Sequence, residues 1–220
     1  MSSIAKVHYY PAAGKANQIR LALAASGIPF EDKFAFSFPP SPEKRAEWIK
    51  LGGNTTTNVP MLQMDDKVYT QSAAVLRAVG RKGGLMPEGA DDLYMTDKLI
   101  DDAEDLRQAS YKCMISWGAS QELADAYIAE VLPKHLGNLE RQLKASEGIF
   151  FLGDKLTIAD IAVYDVVARF CCDREPTALD EFAALKKFKE DVESNEGIAK
   201  YHASDQYAAI AKLTPASLGK

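Results

Sequence analysis

The sequence predicts a two-part protein, with an α/β first half of order β-α-β-α-β-β-α and an all-helical second half. Up to about residue 86, short runs rich in β-forming residues alternate with apolar residues at helical spacing. From Asp91 onward the strand signals disappear and long helical patterns remain. The stretch "MPEGADD" is therefore the natural boundary between the halves. We expect a first domain at 1–86, a linker at 87–91 and a helical domain at 92–220.

Each element of the first half has a local signal. The strand signals are "AKVHYY", "IPFEDKFAF" and the hairpin "VPMLQMDDKVYTQ", which turns at Asp65–Asp66. The helix signals are "KANQIRLALAAS", "SPEKRAEWIKL" and "SAAVLRAVGRKGG". Ser41 and Pro42 suit the N-cap and the first position of the second helix, and Ser72 is expected to open the third.

The second half carries long amphipathic or apolar helical patterns. The segment "QELADAYIAEVLPKHLGNLERQLKAS" places four leucines on one face, and Pro133 is expected to bend this helix. The segment "LTIADIAVYDVVARFCC" is apolar on nearly every side, as expected of the central helix of a bundle. Thr157 and Asp160 have the spacing of a capping box at its start. The four leucines are Leu132, Leu136, Leu139 and Leu143.

Composition excludes several classes of protein. The chain has 220 residues, 47% hydrophobic and 26% charged, which is typical of a soluble globular protein. Its formal net charge of -5 argues against a nucleic-acid-binding surface. The three cysteines suggest no disulfide framework, because two of them are adjacent, and they favour a reducing compartment. The first ten residues hold no apolar run of signal-peptide length, so we expect a cytosolic protein.

Two tyrosines stand side by side in "HYYPAAGKANQIR", at the end of the first predicted strand. Adjacent residues of a strand point to opposite faces, so Tyr9 and Tyr10 have different surroundings. Further along, Pro60 begins the third predicted strand. It is either a simple strand-initiating proline or a turn that leaves the backbone of Val59 available to an extended peptide ligand.

Two further features suit a charged ligand, and each also has a purely structural interpretation. Gln71 and Ser72 lie at a predicted helix start, where free N–H groups favour a carboxylate, although a simple N-cap explains Ser72 as well. An acidic run around Asp105 on the first long helix is either a solvated face or a partner for a ligand ammonium.

Taken together, these residues resemble a cytosolic glutathione transferase of the tyrosine type, nearest to the sigma and pi classes. The resemblance covers essentially the whole chain. The residues that carry it are "VHYYPAAGKANQIRLAL", "NVPMLQMDDKVYTQSAAVLRAVGR", "EDLR", "GDKLTIADI" and "LDEFAALKKFKEDVESNEGIAKY". It implies a thioredoxin-like N-terminal domain, an all-helical C-terminal domain, a homodimer, and glutathione as co-substrate with no metal.

The resemblance also implies a set of site residues. Tyr9 corresponds to the catalytic tyrosine, whose hydroxyl donates a hydrogen bond to the glutathione sulfur and favours the thiolate. Asp105 corresponds to an acidic residue that reaches the γ-glutamyl amine bound by the partner subunit. The other glutathione-binding positions are Trp48, Lys50, Asn58, Val59, Pro60, Gln71 and Ser72. The candidates for lining the second-substrate pocket are Tyr10, Ala12, Ala13, Met114 and Ile115.

The sequence departs from this pattern in two places. The family's "RGR" after the tyrosine is "AGK" here, so Ala13 replaces an arginine and removes a charge near the thiol. The loop "LGGNTTTNVP" is short and has Thr57 where a glycine is common. The usual lysine of the glycyl clamp has no clear equivalent, and Lys50 serves only if the helix end shifts.

Three functions are compatible with such a scaffold. The first is conjugation of glutathione to apolar electrophiles. The second is a glutathione-dependent isomerase of the prostaglandin D synthase kind, and the third is a non-catalytic structural or binding use of the fold. A complete thiol site argues against the third. A cysteine-type thioltransferase is disfavoured because no cysteine precedes Cys113.

Overall fold

The computed structural model describes residues 4–114 and 117–211. Contacts between Cα atoms divide these residues into two compact units, each described below by itself. The first unit combines residues 4–86 with residues 196–211, and the second holds 87–114 and 117–195. The first unit therefore includes C-terminal helices that the division by chain order places in the helical domain.

The first unit contains a four-stranded sheet and three crossing helices in the predicted order. Its strands lie in the order β2-β1-β3-β4, with β1 parallel to β2 and antiparallel to β3. This is the thioredoxin-like arrangement. The elements are β1 (Ala5–Tyr9), α1 (Asn17–Ala25), β2 (Phe30–Phe34), α2 (Pro42–Ile49), β3 (Met61–Met64), β4 (Lys67–Thr70) and α3 (Ser72–Lys82).

Local signals set most of these boundaries. Asp65 and Asp66 have φ angles of 50° and 61°, the two positive values that a tight hairpin turn between β3 and β4 requires. The Ser41 hydroxyl accepts a hydrogen bond from the Lys44 N–H, which confirms it as the N-cap of α2. At α3 the prediction needs correction, because Gln71 occupies the N-cap position and Ser72 is the first helical residue.

The second unit is helical throughout its described elements. Its elements are α4 (Ala90–Lys112), α5 (Gln121–Ala126), a π-helical turn (Tyr127–Val131), α6 (Leu132–Ala145), α7 (Ile158–Val166), a second π-helical turn (Val167–Cys172) and α8 (Ala183–Glu193). All nine residues of α7 are buried, as expected of a central helix, and the four predicted leucines of α6 are buried too. Pro133 lies in the first turn of α6, directly after a π-helical turn, so the predicted long helix is divided at this point.

Two short C-terminal helices, α9 (Glu196–His202) and α10 (Asp205–Ala211), belong to the first unit. Helix α9 lies so close to α1 that a Cβ atom on Gly197 would come within 2.1 Å of the Ala24 carbonyl oxygen. Glycine is therefore required at this crossing. The Gln206 side chain of α10 donates a 2.7 Å hydrogen bond to Asp32 on β2.

None of the helices in the described residues is both long enough and apolar enough to cross a membrane.

The start of α7 depends on one buried carboxylate. The side chain of Asp160 accepts hydrogen bonds from the N–H of Phe151 at 2.9 Å and the N–H of Thr157 at 2.8 Å. It also accepts one from the Thr157 hydroxyl at 2.7 Å, and its exposed fraction is 0%. The predicted capping box is thus confirmed, and it also fixes the preceding loop.

We predict that Asp160→Ala lowers the free energy of unfolding by about 3 kcal/mol, because it leaves buried donors unsatisfied at a helix start. The matched control is Asp154→Ala, since Asp154 is exposed and accepts only a 3.3 Å bond from the Ile149 N–H. Urea unfolding followed by far-ultraviolet circular dichroism measures both. Equal losses in the two variants would contradict the role assigned to Asp160.

Candidate active site

A cavity of about 520 Å³ opens in the first unit beside the carboxyl end of β1. This volume lies within the range of about 300–1,000 Å³ that small-molecule sites occupy. It brings together residues from the end of β1, the loop before α1, the loop before α2, α2 itself, the loop before β3 and the start of α3. The lining residues are Tyr9, Tyr10, Lys15, Phe38, Pro40, Arg45, Thr57, Asn58, Val59, Pro60, Gln71 and Ser72.

The Tyr9 hydroxyl is oriented by the backbone that follows β1. It accepts a 3.2 Å hydrogen bond from the Lys15 N–H. A phenol oxygen has lone pairs to accept with, and this N–H occupies one of them. Tyr9 is partly buried and lines the cavity. Its hydroxyl is therefore held at the cavity by the loop that follows β1.

Gly14 is required for this placement. Its φ angle is +43°, and a Cβ atom there would lie 2.4 Å from the Tyr9 hydroxyl oxygen. Both the backbone conformation and the close approach exclude an ordinary side chain. The spacing from Tyr9 to Gly14 in the sequence therefore corresponds to a contact between the tyrosine and the loop that follows β1.

Arg20 fixes the same loop from within the core. The Arg20 guanidinium donates a 2.8 Å hydrogen bond to the Ala12 carbonyl oxygen and forms a 2.8 Å ion pair with Asp32. It also lies over the Tyr9 ring, 5.9 Å from its centroid. Because Arg20 is completely buried and paired, it acts on the loop and the ring without reaching the cavity.

The loop before β3 presents backbone to the cavity. The Val59–Pro60 peptide bond is cis, and both residues line the cavity. Among the described residues, no hydrogen bond is found to the backbone N–H or C=O of Val59. Asn58 is exposed beside it, and its own N–H is held by the Thr56 hydroxyl at 3.1 Å. This backbone has the free polar groups that an extended peptide requires.

The start of α3 provides a site for an anion. Gln71 has φ 69° and ψ 107°, a conformation that non-glycine residues rarely adopt and that is concentrated at functional sites. It brings the chain into α3 so that Gln71 and Ser72 both line the cavity. The first N–H groups of a helix have no partner within it and carry a partial positive charge.

The cavity is cationic although the chain has a net charge of -5. Lys15 and Arg45 line it, and none of its described lining residues is acidic. The sequence analysis assigned no ligand role to either residue. Lys15 is the last residue of "AGK", and Arg45 lies one helical turn before Trp48. The sequence shows both residues, but it does not show that their side chains point into a cavity.

Four residues predicted for the site lie elsewhere in the first unit. Trp48 is completely buried in a cluster with Ala35 and Met61, where it supports Tyr10 and Val59 from behind instead of lining the cavity. Lys50 is exposed at the end of α2 and is not among the lining residues.

The two alanines after the tyrosines also differ from the prediction. Ala13 is completely buried, because its carbonyl oxygen accepts the N–H groups of Ala16 and Asn17 at the approach to α1. Ala12 is held through its backbone by Arg20 and is not among the lining residues. Neither alanine is therefore among the residues that line this cavity.

Tyr10 lines the cavity as predicted and belongs to an aromatic chain. Its ring lies 5.3 Å from that of Tyr9 and 5.4 Å from that of Phe38, edge to face in both cases. Burial, together with the neighbouring Tyr9, raises the pKa of Tyr10 above its usual value. The Tyr10 hydroxyl is therefore neutral at physiological pH.

The remaining predicted residues belong to the second unit. Asp105 is exposed on α4, and Met114 is buried with 2% of its surface exposed. Ile115 lies outside the described residues. No group of three or more His, Cys, Asp or Glu side chains placed to hold a metal ion is found in 4–114 and 117–211.

The first unit is thus a thioredoxin-like domain with a cationic cavity at the carboxyl end of β1, beside a cis-proline loop and a helix start, features compatible with a peptide-like anion. Comparison with known proteins gives the family. Residues 5–80 match the family model described as "Glutathione S-transferase, N-terminal domain", and residues 104–205 match "Glutathione S-transferase, C-terminal domain".

Individual relatives agree over most of the chain. "Probable glutathione S-transferase 7" of Caenorhabditis elegans is 30% identical, covering 89% of this chain and 94% of the relative. "Glutathione S-transferase Mu 3" of Macaca fuscata fuscata is 31% identical, covering 90% and 88%. A solved structure titled as a pi-class glutathione S-transferase of Onchocerca volvulus superposes with a TM-score of 0.80 at 24% identity, covering 94% and 96%. The chain belongs to the glutathione S-transferase family.

These relatives confirm the predicted family and its enzymatic class. Their names include the mu and pi classes. They do not confirm the sigma class, which the sequence suggested together with the pi class.

We predict that Gly14→Ala lowers kcat/KM for glutathione conjugation by about 10- to 100-fold, because the new methyl group displaces the Tyr9 hydroxyl. Gly53→Ala is the matched control, since Gly53 also has a positive φ, +77°, but nothing lies within 4 Å of its Cβ position. Steady-state kinetics on both variants measures the difference. An equal fall in kcat/KM for the two would show that backbone strain alone is responsible.

Proposed function

We propose that this protein conjugates glutathione to apolar electrophiles, with Tyr9 donating its proton in a hydrogen bond to the glutathione sulfur. The observation that carries the proposal is the position of the Tyr9 hydroxyl, which accepts a hydrogen bond from the Lys15 N–H and lines the cavity. The described lining residues include two cations and no acidic residue. Family membership supports the general activity. The assignment of the chemistry to Tyr9 is part of the proposal and agrees with the position that the resemblance implies.

The cavity suits the tripeptide in an extended conformation. The γ-glutamyl carboxylate is proposed to bind at the start of α3, where Gln71, Ser72 and free N–H groups offer donors. The cysteinyl backbone is proposed to pair with the N–H and C=O of Val59. This pairing places the thiol toward β1 and Tyr9.

The glycyl carboxylate is proposed to bind Arg45 in place of Lys50. Arg45 lines the cavity from α2, whereas Lys50 lies at the exposed end of that helix. A guanidinium matches a carboxylate in geometry and remains charged at all physiological pH values. The two cations, Arg45 and Lys15, balance the negative charge of the bound peptide.

Activation follows from proton equilibria. A free thiol has a pKa of about 8.5, so little of it is thiolate at neutral pH. A hydrogen bond from the Tyr9 hydroxyl stabilises the thiolate and lowers the pKa of the bound thiol, and the thiol proton passes to solvent. The thiolate then forms a carbon–sulfur bond to the electrophile. With an aryl halide, the carbon–halogen bond breaks and halide leaves with the electron pair.

Assembly as a homodimer, with Asp105 of one subunit reaching the γ-glutamyl amine bound by the other, belongs to the same proposal. Asp105 is exposed on α4 and therefore accessible to a second copy. A cytoplasmic location is proposed on the grounds of cysteine usage.

We predict that Tyr9→Phe lowers kcat/KM by roughly 10- to 100-fold near pH 6.5, because the pKa of the bound thiol rises by one or two units without the hydrogen bond. At a pH above both thiol pKa values the thiol is ionised in either protein, so the difference should shrink. A pH profile with a chromogenic aryl halide measures this, alongside glutathione affinity, which should persist. The matched control is Tyr10→Phe. If that variant were the impaired one, Tyr9 would not be the donor.

We predict that Arg45→Gln raises the KM for glutathione about five- to tenfold with little change in kcat, since it removes a charge-assisted hydrogen bond to the substrate. Lys50→Gln is the matched control, because it removes the same charge just beyond the end of the helix. Initial rates at varied glutathione concentration give both constants. A larger effect from Lys50→Gln would return the glycyl clamp to the position expected from the sequence.

A further inference from the structure

The cavity has an aromatic side that glutathione does not need. Phe38 and Pro40, from the loop between β2 and α2, line it together with Tyr10. This loop was assigned no role in the sequence analysis. The residues proposed to hold the tripeptide, Gln71 and Arg45 among them, are other members of the lining.

Phe38 is unusual because its side chain is largely exposed and yet its ring contacts another aromatic ring. Its exposed fraction is 86%, yet its ring contacts Tyr10 at 5.4 Å between centroids and 73° between planes. Tyr10 in turn meets Tyr9 at 5.3 Å and 63°. The three rings therefore form a continuous edge-to-face series. It begins at Tyr9, the proposed hydrogen-bond donor to the glutathione sulfur.

A second phenylalanine of the same loop, Phe36, has nearly the same exposure but different contacts, so it serves as a comparison for Phe38. Phe36 is exposed to 85%, almost the same fraction as Phe38, but its ring meets Phe34 on β2 at 5.9 Å. Phe36 is not among the residues that line the cavity. Exposure alone therefore does not distinguish the two, whereas their contacts do.

From this geometry we infer that Phe38 is a specificity-determining residue that selects aromatic over aliphatic electrophiles. The inference rests on the proposed conjugating function. Two rings at a steep angle form a corner in which a planar ligand stacks on one ring and meets the edge of the other. An aromatic ring that accepts a thiolate is electron-poor, so its face is attracted to the electron-rich face of a phenyl group. An aliphatic electrophile gains only apolar contact there.

The test compares an electron-poor aryl chloride with a straight-chain 2-alkenal in the full-length protein. In the first reaction chloride leaves with the electron pair of the broken bond. In the second the sulfur adds to the β-carbon and a solvent proton adds to the α-carbon, so nothing leaves. Both use the same thiolate and differ in the shape and electronics of the electrophile.

For Phe38→Ala we expect the KM for the aryl chloride to rise about tenfold, the effect of losing one aromatic contact and its buried area. The KM for the alkenal should change less than about twofold, and the KM for glutathione should not change. Phe38→Leu keeps apolar bulk without a ring and should behave like Phe38→Ala toward the aryl chloride. Phe36→Ala should match the wild type in all three constants.

Four results would overturn the inference. These are wild-type behaviour of Phe38→Leu, equal losses for both electrophiles, the same losses in Phe36→Ala, and a change of oligomeric state in Phe38→Ala by light scattering, which would make Phe38 an interface residue. Failure of the proposed function looks different. In that case the wild-type protein conjugates neither electrophile, or Tyr9→Phe leaves both rates unchanged.

Discussion

The hydrogen bond from the Lys15 N–H to the Tyr9 hydroxyl is the contact on which the rest of the site depends. It orients the phenol at the cavity, and under the proposed function this preorganisation reduces the rearrangement needed when the thiol binds. The contact depends on Gly14, because a Cβ atom there would lie 2.4 Å from the Tyr9 hydroxyl oxygen. Arg20 then secures that loop through the Ala12 carbonyl and is neutralised by Asp32.

The positively charged side chains near Tyr9 fall into two groups, one buried in the core and one at the cavity. Arg20 is buried and paired, and the second oxygen of Asp32 accepts the Gln206 amide, so this group contributes to structure. Lys15 and Arg45 line the cavity, and none of its described lining residues is acidic. In a chain of net charge -5 this is a local excess of positive charge, which under the proposed function would attract a peptide with two carboxylates.

The sequence was sufficient for what depends on local chemistry. The order of the first seven elements, the turn at Asp65–Asp66 and the Asp160 capping box follow from residue type and spacing. What it could not supply is the direction of side chains that depends on tertiary packing. Trp48 appears as an ordinary aromatic on a short helix, and only the packed cluster around it shows that it faces inward. The roles of Arg45 and Phe38 were missed for the same reason.

In the proposed function, the two substrates depend on separate parts of the chain. Ala13 is buried at the approach to α1 and Ala12 is tied to Arg20, so a substitution at either acts first on the loop that positions Tyr9. Under the proposed function, that segment serves thiol activation. The exposed aromatic ring of the cavity comes instead from the loop before α2, where Phe38 contacts Tyr10 while remaining 86% exposed. An exposed residue on a connecting loop is substituted at little cost to folding. If Phe38 selects the electrophile as we infer, substitutions there change that preference and leave the thiol site intact.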